Sequence, residues 1–500
     1  MFRDRCVIPS RGDGEGSRIC RGVLILIAAL VAAPAFADRD DRYEQNVDRT
    51  MSYRGGRIVI DHSFGPIELR TTSGDTITVH AKIRASDPDI GRQISVEVSP
   101  ATSAGVTIRT HYPDIHFHGS GSISYTVDLE VTVPANAPLM VKNKFGSIDA
   151  SGVRASSEFT NAQGSIEARD FSGQQRIENS FGSIRLQNSN GNTTLINSNG
   201  SVTASHVDGN LAITNRFGSV QVNDTKMLSV RNANGSVDVR DVEGNATIVD
   251  SFASVSVQNV RGNLDLNNQN GRVEVRDIHG SAMVRNSFAS VEFNNIAQNL
   301  TVSCNNGRIS GSKVGGGANI TGGFASVEVS DIGGPTKISS GNGNITATDI
   351  RGDLTVDTRF GLLRAERIKG SLDVDNANGG VTASNIAGSA RVRTSFGSVF
   401  LKDVGGAVTV ENQNGSIGVS GLRGGCNDIS LRTSFASIKV GLPGGHGYNV
   451  DARTSFGSIS TDVPITIMHK SENSLAGTIG SGGCRLTLSD NNGNITVGRE

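Results

Sequence analysis

The densest set of side chains able to do chemistry is His111-Tyr112-Pro113-Asp114-Ile115-His116-Phe117-His118. On an extended strand Asp114, His116 and His118 fall on one face, two residues apart. Such nitrogen and oxygen donors suit zinc or another divalent ion. His-x-His alone is a weak metal signature, so the expectation is an exposed stretch that holds no metal. Asp and Asn recur elsewhere, as at Asp224, Asp241, Asn259 and Asp277. Calcium β-rolls need a Gly-Gly-x-Gly-x-Asp nonapeptide, which is absent, and turn chemistry accounts for these residues better. A glycosidase or lyase needs paired carboxylates, or a carboxylate with Arg or Lys, gathered in a groove. Here outward Asp, Arg, Ser and Thr are dispersed, and no long inserted loops interrupt residues 145–415. No nucleophile elbow, P-loop or dinucleotide fingerprint stands between a strand and a helix. No cofactor is implied. The expectation is a protein without enzymatic activity, with a carbohydrate-active β-helix enzyme as the alternative.

Cysteine chemistry depends on compartment. Arg18 and Arg21 precede the apolar run Gly22–Ala33, and Ala35-Phe36-Ala37 follows it. This is the pattern of a secretory signal cut after Ala37. The run is too short to span a bilayer, and no other segment reaches 18 apolar residues. The expectation is an exported chain, periplasmic, extracellular or at the cell surface, with no transmembrane span after cleavage. Cys304, Cys426 and Cys484 remain, an odd count that leaves at least one free thiol. The formal net charge is −1, which gives no field to recruit nucleic acid. The expected partner is a protein or glycan of the envelope or of another surface.

The elements that position these residues come from a repeat. A small corner residue falls at 146, 164, 182, 200, 218, 235, 253, 271, 289, 307, 325, 343, 361, 379, 397 and 415. Every interval is 18 except one of 17. Counting each coil from the residue before the corner, positions 4 and 6, and again 13 and 15, are apolar. That alternation is the period of half-buried strands. Position 9 is mostly Val or Ile, position 8 often Asp or Asn, and position 11 usually Gly, the last two suited to turns. One coil cannot bury its inner face alone, whereas stacked coils can. The fold expected is all-β: a parallel β-solenoid (β-helix), right-handed, of 18-residue coils. A β-rich N-terminal capping domain precedes it. The divisions are a signal peptide at 1–37, the entry domain at 38–140, the regular solenoid at 141–421, and irregular coils with a cap at 422–500.

A second period doubles the first. The residue before the corner alternates: Phe181, Asn199, Phe217, Asn234, Phe252, Asn270, Phe288, Asn306, Phe324, Asn342, Phe360, Asn378, Phe396, Asn414. By strand parity positions 13, 15, 17 and 1 share the inner face, so these residues are expected to form an inward structural ladder. Position 17 is itself often Asn, and stacked amides can bond to one another. Cys304 falls at that position and is expected to be a buried thiol. The register places Cys426 and Cys484 two or three coils apart, about 10–14 Å. That exceeds disulfide reach unless the C-terminal coils are irregular.

The Phe-Gly-Ser-Ile and Asn-Gly-Ser-Val corners, the Asp-Val-x-Gly-Asn turns and the exported N-terminus resemble the bacterial β-strand-repeat family described as putative adhesins. The resemblance covers roughly residues 55–500, including the Leu129–Pro134 strand. It implies an extracytoplasmic solenoid and adhesion or envelope association. That family, largely of unknown function, supplies no catalytic residues to carry over.

Overall fold

The computed structural model describes residues 43–114 and 123–500. Alternation builds it rung by rung. Val237 and Val239 point inward from one strand of a coil and Ala246 and Ile248 from the next, all buried. Strands Val237–Val242 and Ala246–Val249 pair in parallel with the next coil, Val237 opposite Val255 and Ala246 opposite Leu264. The same offset of 18 recurs along the rod. The single 17-residue interval is absorbed at a register shift between Val207 and Asn210. One continuous core runs from Ile58 to Val497.

Two kinds of turn residue hold each coil. The position-8 residues take left-handed backbone, as at Asp241 (φ 57°), Asn259 (φ 57°) and Asp277 (φ 56°). Asp and Asn tolerate this conformation better than most side chains. Their side chains also bond between coils: Asn295 Nδ2 donates to Asp277 Oδ1 at 2.7 Å. From Gly209 to Gly406 the position-11 glycines are needed for a different reason from the one their turn placement suggests, whereas Gly173 and Gly191 do take positive φ (90° and 126°). A Cβ on Gly262 would lie 2.5 Å from the Gly244 carbonyl of the coil before. Close stacking, not a positive φ, demands glycine there.

The ends depart from sequence order. Ile58 lies opposite Leu139 and Ile67 opposite Ile148, so Arg57–Asp61 and Ile67–Thr72 form a coil directly on the regular stack. The later strands Gly105–His111 and Tyr125–Pro134 stack beyond it. Antiparallel strands Thr76–Ala85 and Tyr43–Ser52 then close that end. At the other end Ile429–Arg432 and Ile438–Leu442 pair with the last segment of the chain, Cys484–Ser489 and Ile495–Arg499. Tyr448–Arg453 and Ile459–Thr461 lie outside that segment. Antiparallel Ser474–Ile479 and Ile465–Lys470 finish the edge. Antiparallel closure blunts strand edges that would otherwise template pairing with other chains. Among the described residues no helix is long and apolar enough to cross a membrane.

Candidate functional site

The second period of the sequence has its outcome at one corner of every coil. The position-17 Asn is buried, and its bonds end the strand. Asn268 Nδ2 donates to the carbonyls of Ala253 (3.0 Å) and Gly271 (2.9 Å), and its Oδ1 accepts from the amide of Gln269 (2.9 Å). These bonds satisfy the amide by pulling the corner toward it, and the chain pivots there. The residues at positions 18 and 1 then both face out: Gln269 and Asn270 are exposed on either side of the turn.

The Phe column therefore points to solvent, not inward. Phe181, Phe217, Phe252, Phe288, Phe324, Phe360 and Phe396 are 49–70% exposed. Parity counting failed because a strand's alternation ends where its last side chain binds the turn. The alternating Asn residues (Asn199, Asn234, Asn270, Asn306, Asn342, Asn378 and Asn414) also lie outside the core. Several are laid against the coil before: Asn270 Nδ2 donates to Ser251 O at 2.8 Å, and Asn199 Nδ2 to Ser180 O at 3.2 Å. Phe145 extends the column at one end. At the other, the Phe435 amide bonds the Gln413 carbonyl, that of Asn492 the Ser434 carbonyl and that of Phe456 the Asn491 carbonyl. The spatial order there is Asn414, Phe435, Asn492, Phe456.

Residues 294–498 match the Toastrack DUF4097 family model. This bears out the resemblance to a repeat family of unknown function. The matched stretch holds Phe324 to Phe456 of the column, Cys304 and the C-terminal inversion. No curated protein matches the chain. A putative cell adhesion protein from Clostridium sporogenes is 7% identical, covering 92% of this chain and 100% of its own, with a TM-score of 0.18. A putative adhesin from Bacteroides fragilis is 13% identical, covering 65% and 97%, with a TM-score of 0.14. One from Parabacteroides distasonis is 12% identical, covering 66% and 97%, with a TM-score of 0.15.

The remaining candidates separate. Asp114 is exposed after the strand Gly105–His111, while His116 and His118 lie outside the described residues. His111 bonds Glu97 at 2.8 Å. Among the described residues no three His, Cys, Asp or Glu side chains gather as a metal site. Cys304 is buried in the Asn column, and its Sγ donates to Ala289 O at 3.2 Å, the acceptor an Asn would use. Burial pushes its thiol pKa up.

Cys426 and Cys484 form a disulfide, with Cα atoms 5.6 Å apart. The expected separation of two or three coils is overturned by the inversion, which makes their coils neighbours. Sequence reading also missed Asp250, a buried carboxyl in the Asn column. Its Oδ1 accepts from Asn232 Nδ2 at 3.1 Å and its Oδ2 from the Ala253 amide at 3.1 Å. Burial raises its pKa. His62 is likewise buried, its Nδ1 2.9 Å from Thr110 Oγ1. Burial lowers its pKa to about 4.

Proposed function

We propose that the chain is an exported, non-enzymatic β-solenoid scaffold that holds an envelope or cell-surface partner in the manner of an adhesin. The observation that carries this reading is the outward face of the second long strand. Thr247, Asp265, Met283, Thr301, Asn319, Lys337 and Thr355 stand opposite one another in successive coils. They form a flat, mostly polar surface that repeats every ~4.8 Å. Thr247, Asp265, Met283 and Thr301 of this face, with Asn263 and Ser281 beside them, line a shallow depression. A periodic face of short polar groups offers many weak contacts to an extended polymer or surface, and a rigid rod lets them add without ordering cost. The Cys426–Cys484 disulfide supports an oxidising compartment and hence export.

The test is retention of the full chain by whole bacterial envelopes and by soluble envelope glycans. Retention should fall when Asp265, Thr301 and Lys337 are replaced together by Ala. Absence of retention would overturn the reading. Release of new reducing ends from a bound glycan would replace it with the carbohydrate-active enzyme.

A further inference from the structure

Ten phenylalanines stand on one column of the rod, and the core uses none of them. From Phe145 to Phe456 they are 41–84% exposed. Rungs are about 4.8 Å apart, so the rings recur every ~9.6 Å. Together they expose roughly 1,000 Å² of apolar surface, at about 150–250 Å² per aromatic side chain. A soluble monomer seldom leaves more than a few hundred Å² in one patch. A standard interface buries about 800 Å² on each partner. The column alone is large enough for one.

Its order is kept in space, not only in sequence. Phe435 and Phe456 are consecutive corners of the chain with no Asn corner between them. The inverted last coil inserts Asn492 between them, with the Asn492 amide on Ser434 O and the Phe456 amide on Asn491 O. Simple duplication of a 36-residue unit does not produce this. A requirement for one ring on every second rung between Phe145 and Phe456 does.

The spacing defines the partner. Phe64 and Phe145 show what adjacent rungs do: their rings stack with centroids 5.1 Å apart and planes 5° apart. One rung is thus a stacking distance, and two rungs leave a slot one ring wide. Asn199, Asn234, Asn270 and Asn414 lie back on the preceding coil, each Nδ2 donating to a backbone carbonyl there, and so floor their slots without filling them. A group that enters every slot must itself repeat at the same ~9.6 Å and present flat rings. A second copy of this chain does both.

We propose that the column is the interface of an antiparallel homodimer in which the rings of two copies interdigitate. A two-fold axis perpendicular to the rod, passing midway between the Asn306 and Phe324 rungs, sets each ring from Phe181 to Phe435 opposite an Asn of the other copy and Phe456 opposite Gln163. An axis along the rod sets ring against ring at equal height and leaves the slots empty. The antiparallel contact is isologous and closes at two copies. It uses a different face from the one proposed to hold the envelope partner, so failure of envelope retention leaves it standing.

The test is the solution mass of the purified full chain by sedimentation equilibrium, with two variants. Wild type should be a dimer at micromolar concentration. Phe288→Ser/Phe324→Ser/Phe360→Ser should be monomeric, with its circular dichroism unchanged. Asn306→Phe adds apolar surface but fills a slot, and should raise the dissociation constant at least tenfold. A monomeric wild type overturns the proposal. So does a dimer unaffected or tightened by Asn306→Phe, because that result means the column seeks apolar area without register. Binding of phosphatidylcholine vesicles that grows with Asn306→Phe would assign the column to a membrane surface instead.

Discussion

Asp250 and His62 are buried titratable groups whose environments act in opposite directions on pH. Burial raises the pKa of Asp250, so the core accepts its neutral form more readily. The stability it contributes is therefore present below its unfolded pKa and is lost as pH rises through the raised folded value. An Asn there could donate to the corner carbonyl below, as Asn268 does to Ala253. Asp250→Asn should stabilise the neighbouring coils at pH 7 by on the order of 1 kcal/mol and remove the pH dependence. Hydrogen exchange of residues 230–275 at pH 4.5 and 7.5 checks it; equal protection of both forms at pH 7.5 would mean the carboxylate is not penalised. His62 carries the other sign. Its pKa is held at about 4 by burial, so the folded state keeps the ring neutral. That stability is full above the ordinary His value near 6.5 and is lost as pH falls toward 4, roughly 3 kcal/mol in all. The N-terminal coils should loosen at pH 5, and His62→Gln should abolish the difference between pH 5 and pH 7. An unchanged acid response in that variant would place the sensitivity elsewhere.

At the scale of the strand, the inner face was legible because alternation is a local rule. Positions 4, 6, 13 and 15 are inward wherever the chain stays extended, as Val255, Val257, Leu264 and Leu266 show. The Phe column was misplaced because parity says nothing about where a strand stops. The position-17 Asn stops it, through bonds to carbonyls 15 residues earlier and three later. Only the stacked structure reveals the first of those partners. Phe293 illustrates the same dependence on neighbours. It is buried, and a Cβ on Gly311 in the next coil would meet its ring at 2.5 Å. The glycine yields the volume that the ring takes. Two alanine substitutions should therefore diverge. Phe293→Ala should cost about 3–5 kcal/mol through lost burial and a cavity. Phe288→Ala, with its ring 63% exposed, should cost no more than about 0.5 kcal/mol. Thermal unfolding of the two at a concentration below dimer formation separates them; equal losses would return Phe288 to the core.

At the scale of the whole molecule, each end of the rod reverses the spatial order of two coils relative to their order in sequence. The first coil of the chain, Arg57–Thr72, lies inside the second, and the last, Cys484–Arg499, lies inside the one before. No periodicity announces this, because the swapped coils keep the same inward pattern. At the C-terminal end the cysteine pair, 58 residues apart, was the one trace, and linear register argued against it. The disulfide joins Cys484 of the inserted last coil to Cys426, just ahead of the strand Ile429–Arg432 that this coil pairs with. Closing a loop of that length removes about 4 kcal/mol of chain entropy from the unfolded state in the simplest model. In a stacked array each coil touches only its neighbours, so the loss should stay local. Cys426→Ser/Cys484→Ser should raise hydrogen exchange across residues 422–500 and leave residues 141–400 protected. Displacing the last coil would also remove Asn492 from between Phe435 and Phe456. Uniform loss along the rod would mean that the solenoid unfolds as one unit; no loss would mean that the inserted coil is held by its strand pairing alone.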